Sequence, residues 1–484
     1  MGSATSAQEG DNVKLIGLRL GLVAALLPTS VAAGQERPAP SVELPEVELE
    51  APDFLQPSVG GLTSVEAAER AVRTAPQVRR ARAAQRSAGA RVDEAISSFV
   101  PRFDFSASYN RINEVTFPPF EIPGLPPVDN PFPQVLDLWA VQGTLEIPVS
   151  DYFLVLLPAY DGAQGFLDAQ VYEREVQEQA IAFRARQAYY QYARSLATVW
   201  VAEEAVTSLE ASARDIEALV QAGVSARAEL AQVRANLARA EVAVVQAEGG
   251  LRVSDRQLRQ LLHADDDERF FLGEDLFAAP RESGVTHQDL LTEAMEARPE
   301  VLALRALLTA RQAVVRSRVG STLPRIALNG SVETSNPNPR VIPQVAEFFT
   351  TWVLGASVAW SPNDLAVGYH QVRQAELDVE QVEEDIREIR DLISVEAENA
   401  VATFEAASES IGGLQDGLVA AQVALDDRRA LLAAGAGTST EFVQAQLDQV
   451  NARLDLIDAY VNVRIAEAGI DRVRGRAYPV EGRP

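Results

Sequence analysis

The chain has 484 residues, of which only 6% are aromatic, and its formal net charge is −26. A protein that binds nucleic acid needs concentrated Lys and Arg, so this charge argues against such a partner. The chain contains no cysteine. Disulfides, thiolate metal sites, a cysteine nucleophile and a lipid-modified cysteine are therefore excluded together.

The beginning of the chain has the pattern of a secretory signal peptide. Residues 13–33 combine two basic residues, a short apolar run and a small-residue cleavage site. The apolar run is too short to span a bilayer, and a buried N-terminal helix is the alternative. Because residues 1–12 are polar, we hypothesise that translation begins at Val13. We therefore assign 1–33 to an N-terminal extension and signal peptide, and 34–58 to a Pro/Glu-rich extended segment.

An internal repeat organises the rest of the chain. Residues 73–110 resemble residues 296–333, and Pro76 aligns with Pro299 at an offset of 223 (299 − 76). In each copy a helix-period segment ends at a proline and becomes a strand-period segment. The predicted divisions are a first repeat, a second repeat and a C-terminal tail: 59–276, 277–476 and 477–484.

Four segments of about ten residues alternate between apolar and polar side chains, which predicts strands. They are 102–112, 138–148, 325–335 and 350–360. Half-buried strands of a soluble protein would alternate in the same way, but aromatic residues near strand ends favour a membrane barrel. The aromatic positions concerned are Phe103, Phe105, Tyr109, Trp139, Trp352 and Trp360. Four strands cannot close a barrel, and lipid does not tolerate open edges, so a barrel would have to be shared between subunits.

Long helical hairpins are predicted at about 153–262 and 363–475. Apolar residues step by four and three from Ile181 to Val220, with Ser195 as the only polar residue, and again from Val443 to Val461. An ordinary antiparallel coiled coil without a lumen would give the same heptads. Three glycines interrupt the second hairpin and predict either a bend or a local irregularity: Gly412, Gly413 and Gly417.

The two hairpin turns match at an offset of 212 (435 − 223). Gly223 to Gln232 reads GVSARAELAQ, and Gly435 to Gln444 reads GAGTSTEFVQ. Here the chain resembles the TolC-type outer-membrane channels of tripartite efflux pumps and type I secretion systems. Their tips have a glycine turn, small hydroxyl residues and an acidic position before an Ala/Gln-rich helix. The resemblance covers nearly all of 60–476.

This resemblance implies a mainly α fold with a small transmembrane β part. In that family a trimer shares a twelve-stranded barrel, and the long helices form a coiled-coil tunnel in the periplasm. The resemblance also implies that Glu229 and Glu441 lie at the periplasmic entrance, where carboxylates constrict the pore and favour cations. The alternative is that each is a first-turn carboxylate favoured by the helix dipole. Gln232 and Gln444 complete the candidate entrance, and Gln444 replaces an acidic residue of the family pattern.

The apex of each turn would face the adaptor protein, although a plain helix-turn-helix tip is equally consistent. The candidate adaptor contacts are Gly223, Val224, Ser225, Gly435, Ala436, Gly437 and Thr438. The function implied is a passive exit duct across the periplasm and outer membrane of a Gram-negative-type bacterium. Its expected partners are two further copies of the chain, a periplasmic membrane-fusion adaptor, an inner-membrane pump of RND, ABC or MFS type, and outer-membrane lipid. The alternative is a poreless periplasmic coiled-coil adaptor or scaffold, but the compact β-rich domain typical of adaptors has no counterpart here.

No pattern in the chain predicts an enzyme, a cofactor or a metal site. His263, His287 and His370 are far apart and lack ligand spacing. The acidic run 265–268 predicts a solvated loop, with calcium binding as a weaker alternative. The exported substrate is not encoded in any recognisable motif.

Overall fold

The computed structural model describes residues 55–116, 123–124, 134–281 and 284–478. The expected signal peptide, nearly all of the Pro/Glu-rich segment and the last residues of the tail lie outside this part. The helices and strands run in chain order as α1 Ser64–Thr74, α2 Pro76–Ser97, β1 Arg102–Arg111, β2 Asp137–Ile147, α3 Val149–Asp151, α4 Leu157–Gln221, α5 Arg227–Leu262, α6 His287–Ala297, α7 Pro299–Gly320, β3 Arg325–Asn336, β4 Phe349–Ala359, α8 Leu365–Ala433 and α9 Ser439–Val473. A π-helical turn, Tyr152–Leu156, leads into α4, and a 3-10 turn, Pro362–Asp364, leads into α8.

The four strands form one antiparallel sheet in the order β1-β2-β3-β4, so β2 and β3 join the two repeats. Tyr109 lies opposite Trp139, and Val332 lies opposite Trp352. Residues that face each other in this way project from the same side of a sheet. One side therefore carries most of the aromatic and aliphatic residues of the four strands, and the other carries mostly polar or small residues, with Leu138, Phe349 and Val353 as exceptions. The apolar side is exposed: Phe105 is 68% and Leu354 is 75% accessible.

Two very long helices set the shape of the helical part. The 65 residues of α4 correspond to roughly 98 Å at 1.5 Å per residue, and α8 is longer still, with 69 residues. Towards its turn, α4 packs between α5 and α9; towards the sheet, it packs between α2 and α7. The other long helix, α8, packs against α9 and α7. The predicted class, long helical hairpins attached to four strands, is confirmed.

The predicted heptad seam of α4 is wrong in its central part. Three positions of that seam are only partly buried: Val199, Ala202 and Val206. The buried positions there are Ala197, Val201 and Ala205. Steps of four residues advance about 40° around a helix, so the buried stripe rotates along α4. The stripe rotates because α4 packs against other helices on both flanks. The buried residues are those that face the neighbours on both flanks.

Two further predictions concern the glycine-rich segment of α8 and the acidic run after α5. The glycine-rich segment 411–417 lies within the uninterrupted helix α8, so it forms no break in the helix, and a bend within the helix stays a prediction. The acidic run 265–268 is held by ion pairs: Asp266 lies 2.7 Å from Arg256, and Glu268 accepts two hydrogen bonds from Arg70. Asp265, Asp266 and Asp267 are exposed, so the prediction of a solvated loop is confirmed, and two side chains of the run also form ion pairs.

The histidines occupy separate structural positions. His263 terminates α5 in the left-handed conformation, with φ of 50°, and His287 contacts Ser394 at 3.2 Å. Among the described residues, no three His, Asp or Glu side chains are arranged to hold a metal ion. No helix in the described part of the chain is both long enough and apolar enough to cross a membrane.

Candidate functional site at the two hairpin tips

The two hairpin turns have the same backbone geometry. Gly223 and Gly435 adopt φ of 73° and 72°, the left-handed conformation that glycine allows without steric cost. The amide after each glycine donates to a carbonyl of the last helical turn: Val224 to Leu219, and Ala436 to Leu431, both at 2.9 Å. These are Schellman turns, which pair carbonyls that would otherwise lack partners at the end of a helix. The sequence match at offset 212 thus reflects the same backbone conformation at both turns.

At the second tip, Glu441 is held against its own helix. Thr438 is the N-cap of α9. Its hydroxyl accepts a hydrogen bond from the Glu441 amide at 3.3 Å, and the Glu441 carboxylate accepts one from the Thr438 amide at 3.5 Å. This reciprocal arrangement is a capping box, which satisfies two donors at the start of the helix. Arg428 from the end of α8 adds an ion pair at 3.2 Å. The Glu441 carboxylate therefore has partners on both arms of its hairpin.

At the first tip, the equivalent Glu229 is used differently. The position of Thr438 is occupied by Ala226 (438 − 212), which has no side-chain acceptor for a cap. The Glu229 carboxylate instead accepts hydrogen bonds from Ser225 at 2.8 Å and from Ser439 at 2.6 Å. These two hydroxyl groups stabilise the charged form and lower the pKa of Glu229. Since Ser439 begins α9, this carboxylate links the first tip to the second.

The remaining candidate residues lie around this link. Val224 is 69% exposed at the apex of the first turn, and Ala436 is exposed at the apex of the second. Gln444 donates to Asp448 at 2.9 Å along α9, and Gln232 is exposed on α5. An apolar cluster packs the two hairpins together beneath the turns, with members from α4, α5, α8 and α9: Leu209, Ile216, Val233, Leu425, Phe442 and Val443. Roles at an entrance or in adaptor binding stay predictions for all of these residues.

The sequence analysis missed two partners at the tips. Ser439 is fully buried and donates to a carboxylate 210 residues away, a separation that no local pattern reveals. Arg428 meets Glu441 only because the turn reverses the chain. A third role was visible: Thr438 and Glu441 have the spacing of a capping box, although Thr438 was assigned to adaptor contact.

The six aromatic candidates lie on or beside the exposed apolar side of the sheet. Tyr109 and Trp139 are in contact, with ring centroids 4.3 Å apart. Trp360 follows β4 and donates its indole N–H to the Thr322 carbonyl at 3.3 Å. The rings are widely accessible, from 47% at Trp139 to 68% at Phe105. Exposed rings at this density are typical of a surface that meets an apolar phase.

The architecture, a four-stranded sheet attached to duplicated long hairpins, has a direct counterpart among known proteins. The family model described as outer membrane efflux protein matches residues 67–263 and 290–476, one segment in each repeat. The chain therefore belongs to the outer membrane efflux protein family, and its location is the outer membrane.

Individual relatives are distant in sequence and close in fold. The outer membrane efflux protein BepC of Brucella suis is 22% identical over 274 residues, which span 57% of this chain and 58% of that relative. The structure of CusC has a TM-score of 0.71 at 16% identity, covering 85% of this chain and 91% of CusC. The Campylobacter jejuni CmeC outer membrane channel has a TM-score of 0.68 at 16% identity, covering 91% and 94%. The open-state MtrE channel of Neisseria gonorrhoeae has a TM-score of 0.68 at 15% identity, covering 91% and 98%. At these identities the likeness is one of fold.

Proposed function

We propose that the chain is one subunit of a passive exit duct, the outer-membrane component of a tripartite efflux pump or type I secretion system. The observation that carries the proposal is the sheet of this family member, with one exposed apolar side, joined directly to helices of 65 and 69 residues. A contiguous apolar surface of this kind is costly in water and marks a contact with lipid or protein. The helices would extend the duct across the periplasm.

Closing the duct requires further copies of the chain. β1 and β4 form the edges of the described sheet, and their outward backbone groups need partners in lipid. Three copies would supply twelve strands, as the resemblance implies, and strands of 10 to 12 residues are long enough to cross a bilayer when tilted. Both repeats match the channel family, which supports the channel over a poreless adaptor.

The hairpin tips would form the periplasmic entrance. Three copies of Glu229 and Glu441 around a narrow opening would create a negative potential that favours cations. Arg428 partly offsets the charge of Glu441, so Glu441 would contribute less than an unpaired carboxylate. The exposed apices at Val224 and Ala436 would contact the adaptor, which in turn connects the duct to an inner-membrane pump.

Reconstitution of the purified protein in planar bilayers tests this proposal. The wild-type protein should form trimers with stable conductance and a reversal potential that indicates cation preference. Glu441→Gln should weaken that preference, and Gln444→Glu, which adds a carboxylate one turn further along α9, should strengthen it. An unchanged reversal potential in both variants would reject the entrance ring but leave the channel standing. A soluble monomer after membrane fractionation would reject the channel itself.

A further inference from the structure

The two repeats differ at the junction between the sheet and the helices. In the first repeat, Phe99 before β1 and Tyr152 before α4 stack against each other, with ring centroids 6.0 Å apart and an interplanar angle of 5°. Their counterparts are Thr322 (99 + 223) and Asp364 (152 + 212), where the second offset is the one that also relates β2 to β4 (349 − 137). The second repeat therefore has two small polar side chains where the first has a pair of stacked rings.

A cleft remains at this junction in the second repeat. Its volume is about 580 Å³, which is within the range typical of small-molecule sites. Every residue that lines it belongs to 318–325 or 359–371, so the cleft lies between the ends of α7 and β4 and the starts of β3 and α8. Thr322 and Asp364 are among the lining residues. The cleft is thus complete within one chain.

Two opposite charges line this cleft without an ionic partner. Arg318 and Asp364 are both exposed, and neither forms an ion pair with the other or with any further residue of the described ranges. Asp364 precedes α8, but its side chain makes no capping hydrogen bond to that helix. Arg325, which also lines the cleft, lies 3.8 Å from Asp151. The cleft therefore offers one unpaired guanidinium and one unpaired carboxylate, which suit a ligand that carries both an anionic and a cationic group.

Exposed apolar side chains line the same cleft. Leu323 and Leu365 are two of them. Trp360 continues the alternation of the apolar side of β4 beyond Val358, and its indole N–H donates to the Thr322 carbonyl, which holds the ring at the cleft. Tryptophan rings concentrate at the level of lipid headgroups. With the long helices in the periplasm, this end of the sheet lies at the inner leaflet of the outer membrane.

We propose that the cleft binds one phospholipid of the inner leaflet, with a headgroup that carries a phosphodiester and a primary ammonium. The phosphodiester accepts hydrogen bonds from Arg318, the ammonium pairs with Asp364, and the acyl chains lie along Trp360 and the apolar side of the sheet. The inference rests on the proposed function for the placement of the sheet in lipid. A free phosphate ion would leave Asp364 unpaired and the apolar residues uncovered, so the cleft fits the lipid better.

Native mass spectrometry of the purified full chain, delipidated in non-ionic detergent, tests the binding. Phosphatidylethanolamine, phosphatidylglycerol and inorganic phosphate are titrated separately. Each chain of the wild-type trimer should bind one molecule of phosphatidylethanolamine, and phosphatidylglycerol, which lacks the ammonium, should bind about tenfold more weakly. Equal binding of the two lipids, or tighter binding of inorganic phosphate, would overturn the inference.

Single substitutions test the two charged groups. Arg318→Gln should weaken the binding of phosphatidylethanolamine about tenfold, because it removes the charged donor to the phosphodiester. The matched control is Arg316→Gln, which removes an exposed arginine of the same helix that pairs with Asp161 of α4 and does not line the cleft. Its binding should match that of the wild type. Asp364→Asn should bring the two lipids to similar affinities, since only the ammonium distinguishes them at this position. An Arg318→Gln protein that binds as tightly as the wild type would reject the site.

Copying the first repeat into the second tests the cleft itself. Thr322→Phe with Asp364→Tyr introduces the stacked pair of the first repeat and should fill the cleft. Lipid binding should then be lost, while the trimer and its conductance are kept. A conducting trimer of this variant that binds phosphatidylethanolamine as tightly as the wild type would overturn the inference and leave the proposed function intact. A wild-type chain that is a soluble monomer would overturn both.

Discussion

The two hairpin tips share a backbone and differ in how they use the same glutamate. Both turns are Schellman motifs with a left-handed glycine, and both place a glutamate in the first turn of the returning helix. Glu441 caps its own helix because Thr438 offers the reciprocal hydroxyl. Glu229 reaches the other hairpin because Ala226 offers none. The N-cap residue, Ala226 at the first tip and Thr438 at the second, is thus a local difference that accompanies the two uses of the glutamate.

The link between the tips has one direction only. Glu229 of the first repeat binds Ser439 of the second. The position equivalent to Ser439 in the first repeat is Arg227 (439 − 212), which is exposed and is not among the hydrogen-bond partners of the Glu441 carboxylate in the described part of the chain. The duplicated tips are therefore unequal, and any rearrangement that separates the two hairpin tips has to break the hydrogen bonds of Glu229.

Removing the link should have the largest effect at the tips. Glu229→Ala deletes both hydrogen bonds and leaves the hydroxyl of Ser439, which is 0% exposed, without its partner. A lost hydrogen bond to a charged group costs about 1.5–3 kcal/mol, and the partial exposure of Glu229 places the expected cost near the lower value. Amides at the start of α5 and α9 should then exchange with solvent about tenfold faster, measured by hydrogen exchange with mass spectrometry.

The matched control for this variant is Glu241→Ala, which removes an exposed glutamate from the same helix. It should leave exchange at both tips unchanged. Equal protection of α9 from hydrogen exchange in the Glu229→Ala protein and in the wild type would mean that the Glu229 carboxylate does not link the two tips.

Removing the cap should have a smaller and one-sided effect. Thr438→Ala deletes the capping box at the start of α9, and loss of an N-cap typically costs about 1 kcal/mol. Exchange at the start of α9 should rise about fivefold, and exchange at the start of α5 should stay near its wild-type value because Ser439 is retained. The same measurement checks this, and a comparable rise in both helices would show that the two tips are more alike than their contacts indicate.

The architecture could be predicted from the sequence because it rests on periodic patterns. The alternation in the strands and the glycine turns at Gly223 and Gly435 are local signals. Each of them predicted the position of a structural element. The central part of the α4 seam could not be predicted, since burial at Val201 and Ala205 depends on neighbours that flank the helix on both sides. A heptad pattern assumes one partner.

The contacts at the hairpin tips also divide into those that a local sequence motif predicts and those that it does not. The capping box of Thr438 and Glu441 is a local motif with a known spacing. The bond from Ser439 to Glu229 depends on how two hairpins dock, and the ion pair of Arg428 depends on the angle at which one hairpin returns. Neither was accessible from residue spacing.

Installing the missing cap should convert the first tip into a copy of the second. Ala226→Thr creates a Thr-x-x-Glu sequence, so the Glu229 carboxylate can turn back to its own helix. The start of α5 should gain up to about 1 kcal/mol from the new cap, while the start of α9 loses the link through Ser439. Slower exchange in α5 with faster exchange in α9 is the expected result. Ala226→Ser, which supplies the same hydroxyl on a smaller side chain, should behave alike, whereas Ala226→Val should not.

Acid should weaken the contact between Glu229 and Ser439 only at pH values below about 5. Hydrogen bonds from Ser439 and Ser225 lower the pKa of Glu229 in the folded protein, so the carboxylate contributes stability that is fully present above the pKa of an unfolded glutamate, about 4.3. That contribution is lost as the pH falls through the lowered folded value. Protection of the start of α9, corrected for intrinsic exchange, should therefore be constant from pH 7 to about pH 5 and fall only in more acidic solution. Glu229→Gln removes this titration while Glu441 still caps α9, so its protection should fall less than that of the wild type over the same range. A wild-type profile that parallels that of Glu229→Gln would show that the charge of this carboxylate does not hold the two tips together.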